Sequence, residues 1–144
     1  MVSLRTPPTV GIGAALAVLG LLAAPYLLIP EASAVGTYYN AGAVTPLVAG
    51  LFALVTVVVF AAGREGRTDP PTAAGVAIVF GGFATLVALV WTVTIPDPAS
   101  LVGSLGSVRG AGATFLEYHR YLVFLATTGI AACGGWFARE LGLL

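Results

Sequence analysis

Long apolar segments alternate with short polar stretches along the whole chain. The apolar segments cover about residues 7–29, 45–62, 70–95 and 115–138. An α-helix rises about 1.5 Å per residue, so about 20 apolar residues cross a hydrocarbon core about 30 Å thick. The pattern therefore predicts four membrane-spanning helices. Short connections between them favour antiparallel neighbours, as in a helix bundle.

The composition points to the same environment. Hydrophobic residues make up 58% of the chain and charged residues 8%, whereas a soluble domain carries about 25% charged residues. Because this small number of charges cannot cover a water-facing surface, a large part of the exterior must face lipid. We predict an all-α integral membrane four-helix bundle that forms a single transmembrane domain over residues 1–144.

Charge gives no argument for a nucleic-acid partner. The six acidic and six basic residues cancel, and no basic run exists. A protein that neutralises phosphates needs a basic patch or stripe. The expected partners are therefore the lipid bilayer and other membrane protein subunits, or further copies of the same chain.

The starts of the four predicted helices carry capping signals. Thr6, Thr45 and Asp69 each directly precede a proline, and a cap residue followed by proline is typical of a helix start. Before the fourth apolar segment, Thr114 and Glu117 have the spacing of a capping box. We therefore predict Thr6, Thr45, Asp69 and Thr114 as helix caps.

The arginines near the helix ends predict an orientation. With both termini cytoplasmic, four arginines lie inside and two lie outside, in the direction of the positive-inside rule. The inside set is Arg5, Arg64, Arg67 and Arg139, and the outside set is Arg109 and Arg120. We expect a multi-pass protein of the cell (plasma) membrane with both termini cytoplasmic.

Two outer connections follow from this orientation. Residues 31–44 are polar and contain glycines, which predicts a short loop with interfacial tyrosines. Residues 97–102 can form a short interfacial helix, followed by a flexible glycine-rich loop over 103–112.

A signal peptide is the alternative interpretation of the N-terminal segment. Arg5 resembles a basic n-region, and Ala32, Ser33 and Ala34 resemble a cleavage site. The apolar stretch is longer than the usual 7–15-residue h-region, which favours a retained span.

The polar and aromatic side chains that could carry chemistry fall near the predicted outer interface. Tyrosine and tryptophan collect at this depth because an apolar ring with a polar tip suits it. A ligand site walled by these rings is the alternative. The candidate cluster is Tyr26, Tyr38, Tyr39, Trp91, Glu117, Tyr118, His119, Arg120 and Tyr121.

His119 is the only histidine in the chain. A histidine can act as a general base, a metal ligand or a haem ligand. One histidine cannot provide bis-histidine haem ligation, and Glu31, Asp97 and Glu117 have no diagnostic metal-site spacing. We expect an interfacial, hydrogen-bonded His119, an ion pair between Glu117 and Arg120, and no catalytic residue, metal or cofactor.

The spans contain small residues at four-residue spacing and no central ionisable group. The absence of an ionisable group disfavours a pump or ion-coupled transporter. Pairs such as Gly11 with Ala15, and Ala77 with Gly81, let helix backbones approach closely. We expect these faces to pack within the bundle, with some left for a partner.

Five segments carry a family resemblance: APYL at 24–27, GTYY at 36–39, PLVAG at 46–50, FAAGRE at 60–65 and LEYHRY at 116–121. Together with the lysine-free, alanine- and glycine-rich composition, they resemble an uncharacterised family of four-span integral membrane proteins of halophilic archaea. The resemblance implies a topology but no active residues, because the family has no known function.

The leading functional hypothesis is a non-enzymatic accessory or structural subunit of a larger membrane protein assembly. It rests on the lack of a catalytic constellation and on the small-residue faces. One alternative is a small-molecule or lipid-binding membrane carrier with an outward-facing aromatic pocket. Another is a haem- or quinone-linked membrane redox protein.

Overall fold

The computed structural model describes residues 3–96 and 111–144, with side chains from residue 114 onward in the second range. It contains the helices α1 (Thr6–Leu28), α2 (Ala32–Asn40), α3 (Leu47–Arg64), α4 (Pro70–Thr94) and α5 (Ala111–Glu140). No strand occurs in these ranges. Helices α1, α3, α4 and α5 are long and apolar enough to cross a membrane. The predicted all-α membrane bundle is confirmed.

The four long helices form a closed ring in which each packs against two neighbours. The contacts run α1–α3, α3–α4, α4–α5 and α5–α1. Successive long helices are antiparallel, so the start of α1, the α3–α4 turn and the end of α5 lie together. We call this end of the bundle the terminal end, and the opposite end, which carries α2, the α2 end.

Glycines let α4 and α5 approach to backbone contact. A Cβ atom at Gly81 would lie 2.8 Å from the backbone nitrogen of Ala131, and one at Gly134 would lie 2.9 Å from that of Ile78. Such distances leave no room for a side chain. Small residues thus form this helix interface, as expected where close packing drives association in lipid.

The start of α4 follows the prediction, whereas the N-cap of α3 lies one residue later than predicted. Asp69 is the N-cap of α4, and its carboxylate accepts from the backbone nitrogen of Thr72 at 3.2 Å. The predicted cap Thr45 is wrong because Pro46 holds the N-cap position with helical backbone angles. The Thr45 hydroxyl accepts only a long bond, 3.4 Å, from the Leu47 nitrogen.

The predicted caps of α1 and α5 are also wrong. Arg5 is the N-cap of α1, and Thr6 is already the first helical residue. Helix α5 begins at Ala111, so Thr114 lies inside its first turn. A capping box requires a non-helical residue at the cap, so Thr114 and Glu117 do not form one.

The segment 31–44, predicted as a loop, contains helix α2. One face of this helix is buried against the bundle: Ala34, Val35, Tyr38 and Tyr39. This burial stabilises a nine-residue helix that would be marginal on its own. The predicted interfacial helix at 97–102 lies outside the described residues. The glycine-rich loop predicted over 103–112 lies mostly outside them, and α5 occupies its last two positions.

Candidate functional site

Four side chains with aromatic rings are fully buried at the α2 end of the described residues, and we call them the aromatic core: Tyr38, Tyr39, Trp91 and His119. Helix α2 supplies both tyrosines, α4 supplies Trp91 and α5 supplies His119. All four have no exposed surface. Tyr38 and Tyr39 thus face into the bundle and not outward. Their predicted depth near the outer membrane interface stays a prediction.

Helical periodicity explains why these residues turn inward. On α5, His119 lies on the same buried face as Leu116 and Val123, at spacings of three and four residues that place side chains on one side of a helix. On α2, Tyr38 and Tyr39 follow Ala34 and Val35 by one turn. The residues of the aromatic core therefore occupy core positions of their helices.

A proline in α1 explains the first hydrogen bond of His119. Pro25 lies inside α1 and has no N–H, so the Leu21 carbonyl oxygen lacks its helical donor four residues on. The Nε2 atom of His119 lies 2.6 Å from this oxygen. Because a carbonyl oxygen only accepts, Nε2 carries the proton and donates it to Leu21.

The second nitrogen of the ring is bound to α2. In a neutral imidazole with Nε2 protonated, Nδ1 is an acceptor. The Tyr38 hydroxyl lies 3.0 Å from Nδ1 and 3.2 Å from the Leu116 carbonyl oxygen. With the ring neutral, the single Tyr38 hydroxyl proton is shared between the Nδ1 atom of His119 and the Leu116 carbonyl oxygen, and both ring nitrogens are bonded inside the protein.

Tyr39 binds α1 at the residue after Leu21. Its hydroxyl donates to the carbonyl oxygen of Leu22.

Burial, reinforced by Tyr39, raises the pKa of Tyr38 well above its usual range, and Arg120 opposes this increase only in part. Burial also raises the pKa of Tyr39. Both phenols therefore stay neutral and keep their hydroxyl protons for these bonds.

Ring packing completes the aromatic core. The rings of Tyr38 and Trp91 meet edge to face with centroids 5.4 Å apart, a favourable aromatic geometry. Phe115, which sequence reasoning did not single out, lies 5.3 Å from the His119 ring. The Trp91 Nε1 atom is buried without a hydrogen-bond partner among the described residues.

The other predicted site residues lie outside the aromatic core. Tyr26, Glu117, Tyr118 and Tyr121 are exposed, although the Tyr26 ring still contacts that of Tyr39 at 5.8 Å. The Arg120 guanidinium lies 4.9 Å over the Tyr121 ring. The expected ion pair between Arg120 and Glu117 does not form in the described part of the chain, because the guanidinium is directed to this ring instead.

The described residues contain no group of three or more His, Cys, Asp or Glu side chains that could hold a metal ion. Cys133 is buried as a free thiol on α5. The aromatic core therefore offers hydrogen bonds and packing, and neither a metal-ligand set nor a free nucleophile.

The fold and the aromatic core define an integral membrane protein, a four-helix bundle with a buried polar-aromatic cluster closing one end. The chain belongs to the DUF7548 family, a family of unknown function whose model matches residues 1–142. No curated protein matches the chain, and no solved structure does.

Proposed function

We propose that this protein is a non-enzymatic accessory or structural subunit of a larger membrane protein assembly. Glycines on the outward faces of two helices support the proposal. A Cβ atom at Gly13 and Gly20 of α1, or at Gly75 and Gly82 of α4, would meet no atom within 4 Å. Gly81 and Gly134 are explained by contacts between helices of the chain, whereas these four outward-facing glycines are not.

Outward-facing glycines suit contact with a partner helix. Glycine destabilises an exposed helix position by about 1 kcal/mol relative to alanine, so the chain gains nothing from it in isolation. In lipid, small residues let a second helix approach closely. The proposed occupant of these faces is a transmembrane helix of another subunit.

The proposal includes a location. We place the protein in the plasma membrane with the terminal end in the cytoplasm, because Arg5, Arg64, Arg67 and Arg139 lie at that end and agree with the positive-inside rule. The lysine-free composition supports a halophilic archaeal source.

The carrier and redox hypotheses gain no support from the aromatic core. A carrier would need Tyr38, Trp91 and His119 to wall an open pocket, but their side chains have no exposed surface. A haem or metal would need a free His119 nitrogen, but both nitrogens are bonded within the chain.

Co-purification from the native membrane tests the proposal. The chain, extracted in mild detergent, should elute with one other membrane protein at fixed stoichiometry. Two double variants test the two faces: Gly13→Leu with Gly20→Leu on α1, and Gly75→Leu with Gly82→Leu on α4. At least one of the two should reduce this association. Val58→Leu, at an exposed position of α3, is the control and should not. A lone monomer from wild type would contradict the proposal.

A further inference from the structure

We propose that the terminal end binds the phosphate group of a membrane phospholipid. The site is a cavity of about 250 Å³ between the start of α1, the α3–α4 turn and the end of α5. Two arginines line it, Arg5 and Arg64, together with apolar side chains that include Leu4, Phe137 and Leu141. The proposal does not depend on a partner subunit.

The size and lining of the cavity fit an amphiphile. A water molecule takes about 30 Å³ of liquid, so the cavity has room for a headgroup. Apolar side chains beside two guanidinium groups match a ligand with a charged group and an adjoining hydrocarbon chain. A free inorganic ion would use only the arginine part of this lining.

The two arginines retain donors for an anion. Arg64 donates through Nη1 to the Glu65 carboxylate at 2.7 Å, but its Nε atom is buried without a partner in the described part of the chain. Unlike Arg64, Arg5 forms no ion pair in the described part of the chain. A guanidinium has five N–H donors in a planar fork that matches phosphate oxygens. Because the Arg64 Nε atom has almost no accessible surface, an anion in the cavity would be bound through the terminal nitrogens of the two guanidinium groups.

The depth of the site agrees with a phospholipid phosphate. Arg5 directly precedes α1, and Arg64 is the last residue of α3. Both therefore lie where apolar spans leave the hydrocarbon, which is the level of the lipid headgroups. Arginine at this level buries its alkyl stem and keeps its charged group at the interface.

Binding of short-chain phosphatidic acid to the purified full chain in an uncharged detergent tests the proposal. Native mass spectrometry should show one tightly bound lipid. Arg5→Gln with Arg64→Gln should weaken this binding by about tenfold, as expected for lost charge-assisted bonds. Glu65→Gln should strengthen it by about threefold, because the carboxylate no longer competes for Arg64.

Arg67→Gln is the matched control, since it removes one positive charge from the same turn at a residue that does not line this cavity. It should change the affinity less than twofold. Because Arg5 is exposed, Arg5→Gln alone should leave the fold intact and still weaken binding. The melting temperature of Arg5→Gln should equal that of wild type. The comparison of Arg5→Gln with wild type therefore tests the proposal even if the variant with Arg64→Gln does not fold.

A separate titration with inorganic phosphate distinguishes the sources of the phosphate. If inorganic phosphate does not displace the lipid, the hydrocarbon chain contributes and the ligand is a phospholipid. If inorganic phosphate displaces the lipid at a similar concentration, the hydrocarbon chain contributes nothing and the proposal of a phospholipid is overturned. Wild-type affinity in Arg5→Gln, or an equal loss in Arg67→Gln, would overturn the proposal.

Discussion

His119 on α5 supplies the hydrogen bond that Pro25 removes from α1. Proline leaves the Leu21 carbonyl oxygen without its helical donor, and the His119 Nε2 atom lies 2.6 Å from that oxygen. A membrane offers few substitutes for such a donor, because the hydrocarbon core contains no water. The only histidine of the chain therefore has a structural role that its sequence neighbours do not reveal.

The same ring fixes α2 to the bundle. Its Nδ1 atom accepts from Tyr38, and Tyr39 donates to the neighbouring carbonyl of Leu22. Helix α2 is thus bound to α1 and α5 through two neighbouring phenols. This arrangement joins α2 to the bundle through hydrogen bonds between neutral groups.

Replacing Tyr38 by phenylalanine should destabilise the protein by about 1–3 kcal/mol, because it leaves the buried Nδ1 atom of His119 without a donor. Reversible unfolding in mixed micelles measures the change. Tyr118→Phe is the control: Tyr118 is 60% exposed, and surface changes usually stay within about 0.5 kcal/mol. Equal effects of the two variants would show that the bond to His119 contributes nothing.

Adjacent glycines of α4 should respond in opposite directions to alanine. Gly81→Ala places a Cβ atom against the backbone of α5, and separating the helices should cost about 1–3 kcal/mol. Gly82→Ala enters open space and should be neutral or stabilise by up to about 1 kcal/mol. The same unfolding assay compares them. A loss of stability in Gly82→Ala as large as in Gly81→Ala would contradict this account of the interface.

Stability should fall at alkaline pH. The pKa values of Tyr38 and Tyr39 are raised in the folded state, whereas an unfolded tyrosine has a pKa of about 10. Below this value both states keep the proton, so these groups add no pH dependence. Above it the unfolded state releases protons first, so stability declines as pH rises.

Melting temperature against pH measures this decline, and ultraviolet absorbance of the phenolate reports ionisation. The double variant Tyr38→Phe with Tyr39→Phe should show a shallower decline than wild type. Ionisation of all five tyrosines before any unfolding would contradict the burial of these two phenols.

The sequence was sufficient to predict the four spans because their apolar runs are long and bounded by polar residues. It was not sufficient for α2, because a nine-residue helix with a glycine depends on burial more than on its own propensity. A signal was nevertheless present. Ala34, Val35, Tyr38 and Tyr39 repeat at a one-turn interval, which is the pattern of a buried helical face.

The candidate site was predicted in part. The candidate cluster predicted from the sequence contained all four residues of the aromatic core. It also contained Glu117, Tyr118 and Tyr121, which lie on the exposed side of α5. Helical spacing from Leu116 and Val123 would have separated His119 from these neighbours. The bond to Leu21 was beyond sequence reasoning, because it depends on how α1 and α5 pack together.

The link between His119 and Pro25 can be tested by a double-mutant cycle in the unfolding assay. His119→Phe alone should destabilise the protein by about 1–3 kcal/mol, because it removes the donor to the Leu21 carbonyl oxygen, whereas the Tyr38 hydroxyl keeps the Leu116 carbonyl oxygen at 3.2 Å. Pro25→Ala restores an N–H to α1 and gives the Leu21 carbonyl its helical donor. In that background His119→Phe should cost about 1 kcal/mol less. An equal cost in both backgrounds would contradict the claim that His119 replaces the donor that Pro25 lacks.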